Sequence, residues 1–400
     1  MPAHYGRRRV PIKYLGSKRR LVGVLGELFT AAGGGNALDL FTGTTRVAQE
    51  FKGRGGLVTA VDRARYAAVF AESAIAIDAG TLDFDQLGAE LAELDALAPT
   101  PGYVTQTFCT EARYFRPENG ARIDAIRDAV ETRRGQPHFP ILLTSLIEAA
   151  DRVDSTTGVQ MAYLKQWAPR AHRRLTLRLP TLLAGPGRAL RGDALELLGG
   201  LGPFDFAYLD PPYNQHRYEA NYHVWETIVA WDAPAHYGVA CKRDELADRS
   251  RTSVFNRRRA MPDALRRCVE GVDARVMVVS YNDESWLALD ELTEMCRTRG
   301  AVEVLAFDSK RYVGAQIGIH NREGAVVGSV SHLRNTEFLV VSGEPDSVAA
   351  AVSGAGRTSG VTTGVTSGVR PRRRDQSPSI GTAASTSSTT SSGTRRRGKP

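Results

Sequence analysis

The sequence is poor in cysteine and has no long run of apolar residues. Its four cysteines are Cys109, Cys241, Cys268 and Cys296. They form no C-x-x-C pair and have no histidine at ligand spacing, so neither a disulfide framework nor a zinc site is predicted. No stretch approaches 18 consecutive apolar residues, and none follows the arginines at positions 7–9. We therefore expect no secretion signal, no membrane span and no metal, and a cytoplasmic location.

The charge is distributed unevenly along the chain. The formal net charge is +8, but residues 345–400 contain nine basic and two acidic residues, so the part before them is nearly neutral. Within that part, basic residues cluster at 1–20, 163–180 and 242–267. Contact with phosphates requires local clusters of this kind. Each cluster alone is nevertheless more typical of a solvated surface.

Strand-like and helix-like segments alternate before residue 345, which predicts an α/β fold on a largely parallel sheet. The predicted strands are residues 37–41, 57–61, 204–209, 275–280, 302–307 and 337–341. The predicted helices are residues 19–30, 45–52, 122–133, 141–152 and 284–298. Residues 67–183 are mostly helical in pattern, which indicates an inserted helical domain. Residues 345–400 are rich in Ser, Thr, Gly and Arg, and this composition predicts a disordered basic tail.

The tetrapeptide Asp210-Pro211-Pro212-Tyr213 directly follows the predicted strand 204–209. It should leave the sheet at its carboxyl edge, where open α/β sheets bind ligands. A carboxylate beside a proline-stiffened carbonyl offers two acceptors for the hydrogens of adenine's exocyclic amine, which would free the nitrogen lone pair. The tyrosine ring adds a face on which a base can stack. The alternative for an isolated motif of this kind is a stiff turn with a surface aspartate.

The segment 39–45, DLFTGTT, ends the first predicted strand and opens the helix that follows. Gly43 allows the backbone to approach a ligand closely, and the helix N-terminus offers free N–H groups. Asp62 closes the second strand, where an acid can accept hydrogen bonds from both hydroxyls of a ribose. An N-cap for a helix starting near Ala64 is an equally good interpretation of Asp62.

Two further segments offer groups that suit a nucleotide-like ligand. Residues 13–18, KYLGSK, combine a Gly-Ser turn with two cations and an aromatic ring, which fit a carboxylate and a flat adenine. Their ordinary interpretation is a basic loop before a helix. Asp193, between Gly192 and Ala194, is placed to accept from an adenine amine, although a Gly-Asp pair is also a common turn.

Together these motifs resemble the D12-class, Dam-like N6-adenine DNA methyltransferases. That family shows Lys-aromatic-x-Gly-x-Lys, then D-x-F-x-G-x-G, then D-P-P-Y, and the order is the same here over residues 10–75 and 190–345. The resemblance implies a Rossmann-like S-adenosylmethionine-dependent methyltransferase sheet. Its catalytic domain would comprise residues 1–75 and 184–344, with a mainly α-helical inserted domain at 76–183 as the target-recognition region. One departure is Thr45, which replaces the last glycine; because a β-branched residue disfavours positive φ, we expect a slightly different loop.

The resemblance, together with the motifs, implies a role for each candidate residue. The predicted catalytic residues are Asp210, Pro211, Pro212 and Tyr213. The predicted cofactor-binding residues are Tyr14, Lys18, Asp39, Phe41, Gly43, Asp62, Asp193 and Asp210. The predicted nucleic-acid-binding residues are Lys165, Arg170, Arg173, Arg174, Asn214, His216, Arg217 and Tyr218. S-adenosylmethionine is the expected cofactor, and duplex DNA with a flipped adenine is the expected partner.

Alternatives remain at this stage. RNA adenine and protein amide methyltransferases use acceptor loops of similar shape, although Asp210, where those would carry Asn, favours DNA adenine. A DNA-binding protein on a methyltransferase scaffold is a further alternative, disfavoured because Asp210 and Asp62 are both present. A restriction-modification, epigenetic or phage-defence role is expected, with a cognate restriction endonuclease as a candidate partner that the sequence does not identify.

Overall fold

The computed structural model describes residues 4–5, 12–16, 18–215, 217–310, 319–320, 326–328, 334–356 and 362–363. The chain divides into two compact units, residues 1–365 and 366–400, and the second unit lies outside the described residues. None of the described helices is long and apolar enough to cross a membrane.

The described strands, numbered in chain order, are β1 (His4–Tyr5), β2 (Asn36–Leu40), β3 (Leu57–Asp62), β4 (Leu182–Leu183), β5 (Gly187–Arg191), β6 (Phe204–Leu209), β7 (His236–Tyr237), β8 (Lys242–Arg243), β9 (Ala274–Asn282), β10 (Ala301–Lys310), β11 (Ile319–His320), β12 (Val326–Gly328), β13 (Arg334–Gly343) and β14 (Thr362–Thr363). The described α-helices are α1 (Val22–Ala31), α2 (Arg46–Gly53), α3 (Arg65–Ala71), α4 (Phe84–Asp95), α5 (Pro117–Glu131), α6 (Phe139–Val153), α7 (Ala194–Leu197), α8 (Tyr218–Asn221), α9 (His223–Ala230), α10 (Met261–Gly271), α11 (Leu289–Arg297) and α12 (Pro345–Gly356). Two π-helical segments, Glu72–Ala76 and Thr105–Glu111, and short 3₁₀ turns complete the described helical elements.

The central sheet has the strand order β14-β10-β13-β9-β6-β2-β3-β5. Strands β9, β6, β2, β3 and β5 are parallel, and β13 runs antiparallel to both β9 and β10. From β2 the chain moves outward to β3 and β5 on one side, and later to β6 and β9 on the other. The order therefore reverses between β2 and β6, and such a switch point opens a crevice at the carboxyl ends of the strands.

The sheet is covered on both faces, which explains its nearly continuous apolar strands. In β9, Val276 and Val278 face one hydrophobic cluster, whereas Met277 and Val279 face the other. The first cluster includes residues of α1, α2 and α12, and the second includes residues of α10 and α11. Because side chains alternate along a strand, each central strand contributes to both clusters. Packing on both faces therefore holds the carboxyl end of each central strand rigidly.

The six predicted strands are confirmed as β2, β3, β6, β9, β10 and β13. Strand β5 was missed, because it lies at the edge of the sheet, is only partly buried and has no apolar run. The predicted helix 284–298 begins later, at Leu289. A turn held by hydrogen bonds to the Asn282 side chain precedes it.

The helical character of the insert is confirmed, but the insert does not form a compact unit of its own. Residues of α4, α5 and α6 share one hydrophobic cluster with residues of α3 and α9. Arg127 of α5 is fully buried and donates to the carbonyls of Ile228 and Val229 at the end of α9. These contacts fix the insert against the segment that follows the D-P-P-Y motif.

The prediction that a disordered tail begins at residue 345 is wrong for residues 345–356, which form α12. Val348, Ala351 and Ala355 lie on one face of this helix and are buried. A Cβ atom at Gly354 would come within 2.3 Å of Cβ of Ala31 in α1, so the two helices pack very closely. Small residues make this interface, which is why the composition did not indicate it. Apart from Thr362–Thr363, the rest of the predicted tail lies outside the described residues.

Candidate active site

A cavity of about 410 Å³ opens at the carboxyl ends of four adjacent parallel strands. Each of these strands contributes one predicted residue to its lining: Phe41 follows β2, Asp62 ends β3, Asp193 follows β5 and Asp210 follows β6. Because the strands are neighbours in the sheet, residues far apart in the sequence meet here. Tyr14 and Pro212 also line the cavity.

The loop between β2 and α2 bends through left-handed backbone conformations. Phe41, Gly43 and Thr45 have φ values of 73°, 54° and 59°. Thr45 thus adopts a positive φ despite its β-branched side chain. Its strain, of order 1–2 kcal/mol for a non-glycine residue, is offset by two hydrogen bonds, from Thr45 N to the Thr42 carbonyl and from Nε2 of Gln49 to Oγ1 of Thr45, at 2.8 Å each.

Asp39 holds this loop from beneath and does not line the cavity. Its Oδ2 atom accepts hydrogen bonds from Oγ1 of Thr42 at 2.7 Å and from N of Ala48 at 3.0 Å. Burial raises the pKa of Asp39 to about 7, against the effect of these hydrogen bonds. Oδ1 of Asp39 is buried without a hydrogen-bond partner among the described residues. The structure thus gives Asp39 a role in shaping the loop.

Asp62 serves both the loop and the cavity. Its Oδ2 atom accepts from N of Gly43 at 2.8 Å and its Oδ1 atom from N of Ala64 at 2.9 Å. Asp62 therefore binds the backbone just ahead of α3, whose N-cap is Ala64, and also faces the cavity. Burial raises its pKa, although the backbone donors act against the rise. A carboxylate oxygen with one donor keeps a second acceptor site for a ligand hydroxyl.

Four tyrosines form an aromatic cluster at one side of the cavity. The ring of Tyr14 stacks on Tyr222 with centroids 4.7 Å apart and on Tyr218 at 5.4 Å, and its edge meets Tyr66 at 6.4 Å. A Cβ atom at Gly43 would lie 3.2 Å from the Tyr14 ring. Tyr14 thus covers Gly43, and the predicted residue Gly43 contacts the cavity only through this ring. The contributions of Tyr66 and Tyr222 were not predicted, since no local motif marks them.

The opposite side of the cavity includes two predicted residues and two that were missed. Asp193 caps α7 by accepting from N of Leu195 at 3.0 Å. The ring of Phe41 meets Phe255 edge to face at 4.9 Å, and Asn256 lines the cavity beside it. Phe255 and Asn256 lie in a 3₁₀ turn within the basic segment 242–267, whose charge masked them in the sequence.

The D-P-P-Y motif leaves β6 next to the end of β2, as N of Asp210 lies 3.4 Å from the Leu40 carbonyl. Oδ1 of Asp210 lies 3.2 Å from Nζ of Lys18, which is almost fully buried. Lys18 therefore stands behind Asp210 and does not line the cavity. Pro211 is buried, and Pro212 contacts the cavity.

The pair formed by Lys18 and Asp210 sets the charge of the site. Burial raises the pKa of Asp210 to about 6, and the ammonium of Lys18 limits the rise. For Lys18, burial lowers the pKa, but the attraction of Asp210 outweighs it and the net shift is upward. A second carboxylate, that of Glu337, lies 4.0 Å from the ammonium. At neutral pH Asp210 is thus mainly an ionised acceptor.

Tyr213 stands beside this pair and is partly exposed. Its hydroxyl accepts from Nδ2 of Asn282 at 3.2 Å, and its ring meets Tyr281 at 5.3 Å. The ammonium of Lys18 lies 5.8 Å from its centroid. Contacts from β9 therefore fix the orientation of the ring next to Asp210.

The loop after D-P-P-Y supplies two of its predicted nucleic-acid-binding residues to the cavity, Arg217 and Tyr218. Nη1 of Arg217 donates to the Leu246 carbonyl at 3.3 Å, whereas Nε and Nη2 are buried without a hydrogen-bond partner among the described residues. Nε lies 3.8 Å from Oε1 of Glu219, an ion pair longer than a hydrogen bond. The carbonyl of Asn214 accepts from Asn256, which ties this loop to the far side of the cavity. His216 lies outside the described residues.

The predicted basic residues of the insert differ in their surroundings. Arg170 donates from Nε and Nη2 to Oδ1 of the buried Asp154, and also to the Thr156 carbonyl. Its guanidinium is therefore engaged within the protein. Lys165, Arg173 and Arg174 are exposed.

Glu111, His236 and Cys241 come together away from the cavity, with their potential ligand atoms within 4.8 Å of one another. His236 and Cys241 thus lie close together in space, although no cysteine and histidine stand at zinc-ligand spacing in the sequence. Nε2 of His236 is 2.8 Å from Oε2 of Glu111, which forms an ion pair when the histidine is protonated. Burial raises the pKa of the Cys241 thiol, which disfavours the thiolate that a metal requires.

Comparison with known protein families identifies the family to which this chain belongs. The model of the D12 class N6 adenine-specific DNA methyltransferases matches residues 14–295, from the Tyr14 loop to the end of α11. The chain belongs to this family. It is therefore an adenine-specific DNA methyltransferase, and the resemblance of its motifs to this family is confirmed.

Characterised relatives agree with this assignment. The chain is similar to the type II methyltransferase M.NlaIII of Neisseria lactamica, with 28% identity over 82% of this chain and all of that protein. It is 32% identical to the type II methyltransferase M.CviAII of Paramecium bursaria Chlorella virus 1 over 53% of this chain and 64% of that protein. It is 33% identical to the type II methyltransferase M.FokI of Planomicrobium okeanokoites, over 48% of this chain but only 30% of that longer protein.

Proposed function

We propose that this methyltransferase uses S-adenosylmethionine, bound in the cavity at the sheet edge, to methylate N6 of an adenine rotated out of duplex DNA. Asp210 is the observation that carries the proposal. It is a half-buried carboxylate acceptor that stands at the cavity, at the switch point of the sheet, with a cation behind it. That position suits an acceptor for an amine that gains positive charge as it attacks a methyl group.

The cavity residues fit the proposed cofactor. Asp62 keeps acceptor sites for the two ribose hydroxyls, and Asp193 offers an acceptor for the adenine amine. Phe41 and Phe255 supply apolar surface for the adenine ring. The carboxylates of Asp62, Asp193 and Asp210 at the strand ends also suit a sulfonium cation. When bound, S-adenosylmethionine supplies a methyl group that positive sulfur has already activated, so this chain needs no covalent intermediate.

The residues of D-P-P-Y would orient the target amine. The carboxylate of Asp210 and the carbonyl of Pro211 would each accept a hydrogen of the N6 amine, and Tyr213 would stack on the base. Held in this way, the nitrogen moves toward tetrahedral geometry with its lone pair aimed at the methyl group. The carboxylate of Asp210 would stabilise the positive charge that develops on nitrogen until the methylated nitrogen loses a proton to water.

Rotation of the adenine out of the helix is required because N6 is inaccessible inside stacked DNA. The rotated nucleotide brings a phosphate with it, and Arg217 at the cavity carries two buried nitrogens without a hydrogen-bond partner among the described residues, of which Nε forms only a long ion pair of 3.8 Å with Glu219. A phosphate would satisfy both. Exposed Lys165, Arg173 and Arg174, with Asn214, His216 and Tyr218, are proposed to contact DNA more widely.

A role in restriction and modification is proposed because the similar proteins are type II methyltransferases. A cognate endonuclease would cut the same DNA sequence when the adenine is unmodified. This role predicts that methylation occurs at one defined sequence, with protection of that sequence from a co-encoded nuclease.

The experiment that tests the proposed function compares the wild type with Asp210→Ala and Asp210→Asn. Methyl transfer from labelled S-adenosylmethionine to duplex DNA should fall on the order of 10²–10³-fold in both variants. Binding of the cofactor, measured by calorimetry, should remain detectable. Asp263→Ala, an exposed aspartate on α10, is the control and should retain activity. Near-wild-type turnover in Asp210→Ala, or methyl groups found away from adenine N6, would refute the proposal.

A further inference from the structure

A second carboxylate stands behind the acceptor of the D-P-P-Y motif. Oε2 of Glu337 lies 4.0 Å from Nζ of Lys18, and Oδ1 of Asp210 lies 3.2 Å from the same atom. Asp210 lines the cavity, whereas Glu337 does not and is 23% exposed. Glu337 also lies beyond residues 14–295, which the family model matches. The buried ammonium is thus flanked by two carboxylates, of which one belongs to the known motif.

The register of the sheet explains how Glu337 reaches this place. In β13, Leu339 and Val341 face the hydrophobic cluster that includes residues of α1, and Glu337 precedes Leu339 by two positions on the same face. Because β13 runs antiparallel to β9, the first residues of β13 lie at the carboxyl ends of the parallel strands. Lys18 belongs to the loop before α1, so its ammonium meets Glu337 over that face.

Strand β13 also supports the tyrosine of the motif. Glu337 pairs with Asn282 of β9, and Nδ2 of Asn282 donates to the hydroxyl of Tyr213 at 3.2 Å. The same pair of strands therefore carries the group that orients the Tyr213 ring and the second carboxylate at Lys18. A change at Glu337 acts on the site through these neighbours.

We propose that Glu337 is a positioning residue for methyl transfer, which shares the ammonium of Lys18 so that Asp210 remains a strong acceptor for the target amine. A cation held by one carboxylate alone pairs more closely with it and withdraws its negative charge from other donors. With both carboxylates ionised, the three groups carry one net negative charge, which suits an amine that becomes positive as it is methylated. The inference deepens the proposed function, since it assumes that Asp210 accepts from the adenine amine.

The electrostatics of Asp210 support this role. Burial is the largest influence and raises the pKa of Asp210 to about 6, while Lys18 lowers this pKa and Glu337 raises it. The other titratable groups whose charges act together with that of Asp210 are Asp39, Tyr208, Tyr213 and Tyr218. Loss of the Glu337 charge should therefore lower the pKa of Asp210, whereas loss of the Lys18 charge should raise it.

The first test compares the wild type with Glu337→Gln. Above neutral pH, the single-turnover rate of methyl transfer to duplex DNA should fall roughly 3–10-fold, because Lys18 then pairs with Asp210 alone. The acidic limb of the pH profile should move to lower pH by roughly 0.5 pH unit, because Asp210 loses its proton more readily. Cofactor affinity, measured by calorimetry, should stay within about threefold of wild type, since only Asp210 of the two acids lines the cavity.

Two control variants separate the charge of Glu337 from its contribution to the sheet. Glu337→Asp keeps the charge and should keep the acidic limb nearer to that of the wild type than Glu337→Gln does. Glu303→Gln removes a half-buried glutamate of β10 that pairs with Val341, further along the same antiparallel ladder. Glu303→Gln should leave both the rate and the pH profile unchanged.

A second test uses Lys18→Met as the background. Without the ammonium, Asp210 and Glu337 face each other as like charges, and the acidic limb moves to higher pH. Adding Glu337→Gln removes this repulsion, so near neutral pH the double variant should be faster than Lys18→Met alone. The same substitution slows the wild type. A side chain that only stabilised the fold would lower the rate in both backgrounds.

The outcomes distinguish this inference from the function on which it rests. An unchanged rate and pH profile in Glu337→Gln would overturn the inference, as would equal losses in both backgrounds. A loss of cofactor affinity as large as the loss of rate would overturn it too, by assigning Glu337 to cofactor binding. An active Asp210→Ala variant would overturn the proposed function and this inference together. An inactive Asp210→Ala variant beside a Glu337→Gln variant that matches the wild type would overturn this inference alone.

Discussion

The ammonium of Lys18 lies 3.2 Å from Oδ1 of Asp210, although the two residues are 192 positions apart in the sequence. Lys18 comes from the loop before α1 and Asp210 from the end of β6. Asp210 is desolvated by the site, and this raises its pKa to about 6. The cation therefore keeps an otherwise costly carboxylate ionised at neutral pH.

Replacement of Lys18 by Met should change the pH dependence of methyl transfer. In the wild type, activity should fall as the pH drops through about 6, because protonated Asp210 can no longer accept from the amine. Without the ammonium, the pKa of Asp210 rises, so the loss of activity begins at higher pH. A rise of one pKa unit should lower the rate on the order of tenfold at pH values below both pKa values. Single-turnover rates from pH 5 to 9 would measure it. Lys18→Arg, which keeps the charge, should leave the profile nearer the wild type, and an unchanged profile in Lys18→Met would contradict the assigned role.

A methyl group at Gly43 should impair cofactor binding. Gly43→Ala puts a Cβ atom 3.2 Å from the Tyr14 ring and forces alanine to a φ of 54°. The ring must then move toward the cavity, and we expect the cofactor Kd to rise about tenfold and stability to fall by about 1 kcal/mol. Gly55→Ala is the matched control, since its φ is 89° but a Cβ atom there meets no atom within 4 Å. It should share the loss of stability and keep the cofactor affinity, as measured by thermal melting and calorimetry. Equal affinity in both variants would exclude displacement of Tyr14 as the cause.

Helix α12 should contribute to the stability of the catalytic fold. Val348 is 1% exposed and packs in the same hydrophobic cluster as α1. Val348→Ala should lower the free energy of unfolding by about 2 kcal/mol, from lost burial and the cavity left behind. Ser353→Ala, exposed on the same helix, should have almost no effect. Urea denaturation would measure both, and a stable Val348→Ala protein would show that α12 is dispensable.

Local patterns were sufficient to predict the elements that form the sheet. Strands β2, β3, β6 and β9 are buried on both faces, so each shows an apolar run that does not depend on its neighbours. Strand β5 and helix α12 were missed because neither has a strong apolar run of its own. The first is an edge strand with little apolar surface, and the second buries only one valine and two alanines, which give a weak apolar pattern.

The candidate site was predicted in part. Asp62 and Asp210 line the cavity because each ends or follows a parallel strand that the sequence pattern indicates, whereas Asp193 lines it after β5, a strand that the sequence did not indicate. Asp39 belongs to the same kind of position, yet its side chain turns beneath the loop to accept from Thr42 and Ala48. The direction of a side chain at a strand end depends on the backbone conformation of the turn that follows. The residue types alone did not indicate that conformation.

The sequence by itself determined the motifs of this protein, namely Asp210 directly after a predicted strand and the glycine loop around Gly43. These are local properties of residue type and spacing. Only the tertiary structure decided what surrounds them, namely Lys18 behind Asp210, four distant tyrosines packed together, Phe255 opposite Phe41, and Thr45 at positive φ. Such contacts join segments far apart in the chain, and their geometry is set by the packing of the whole core.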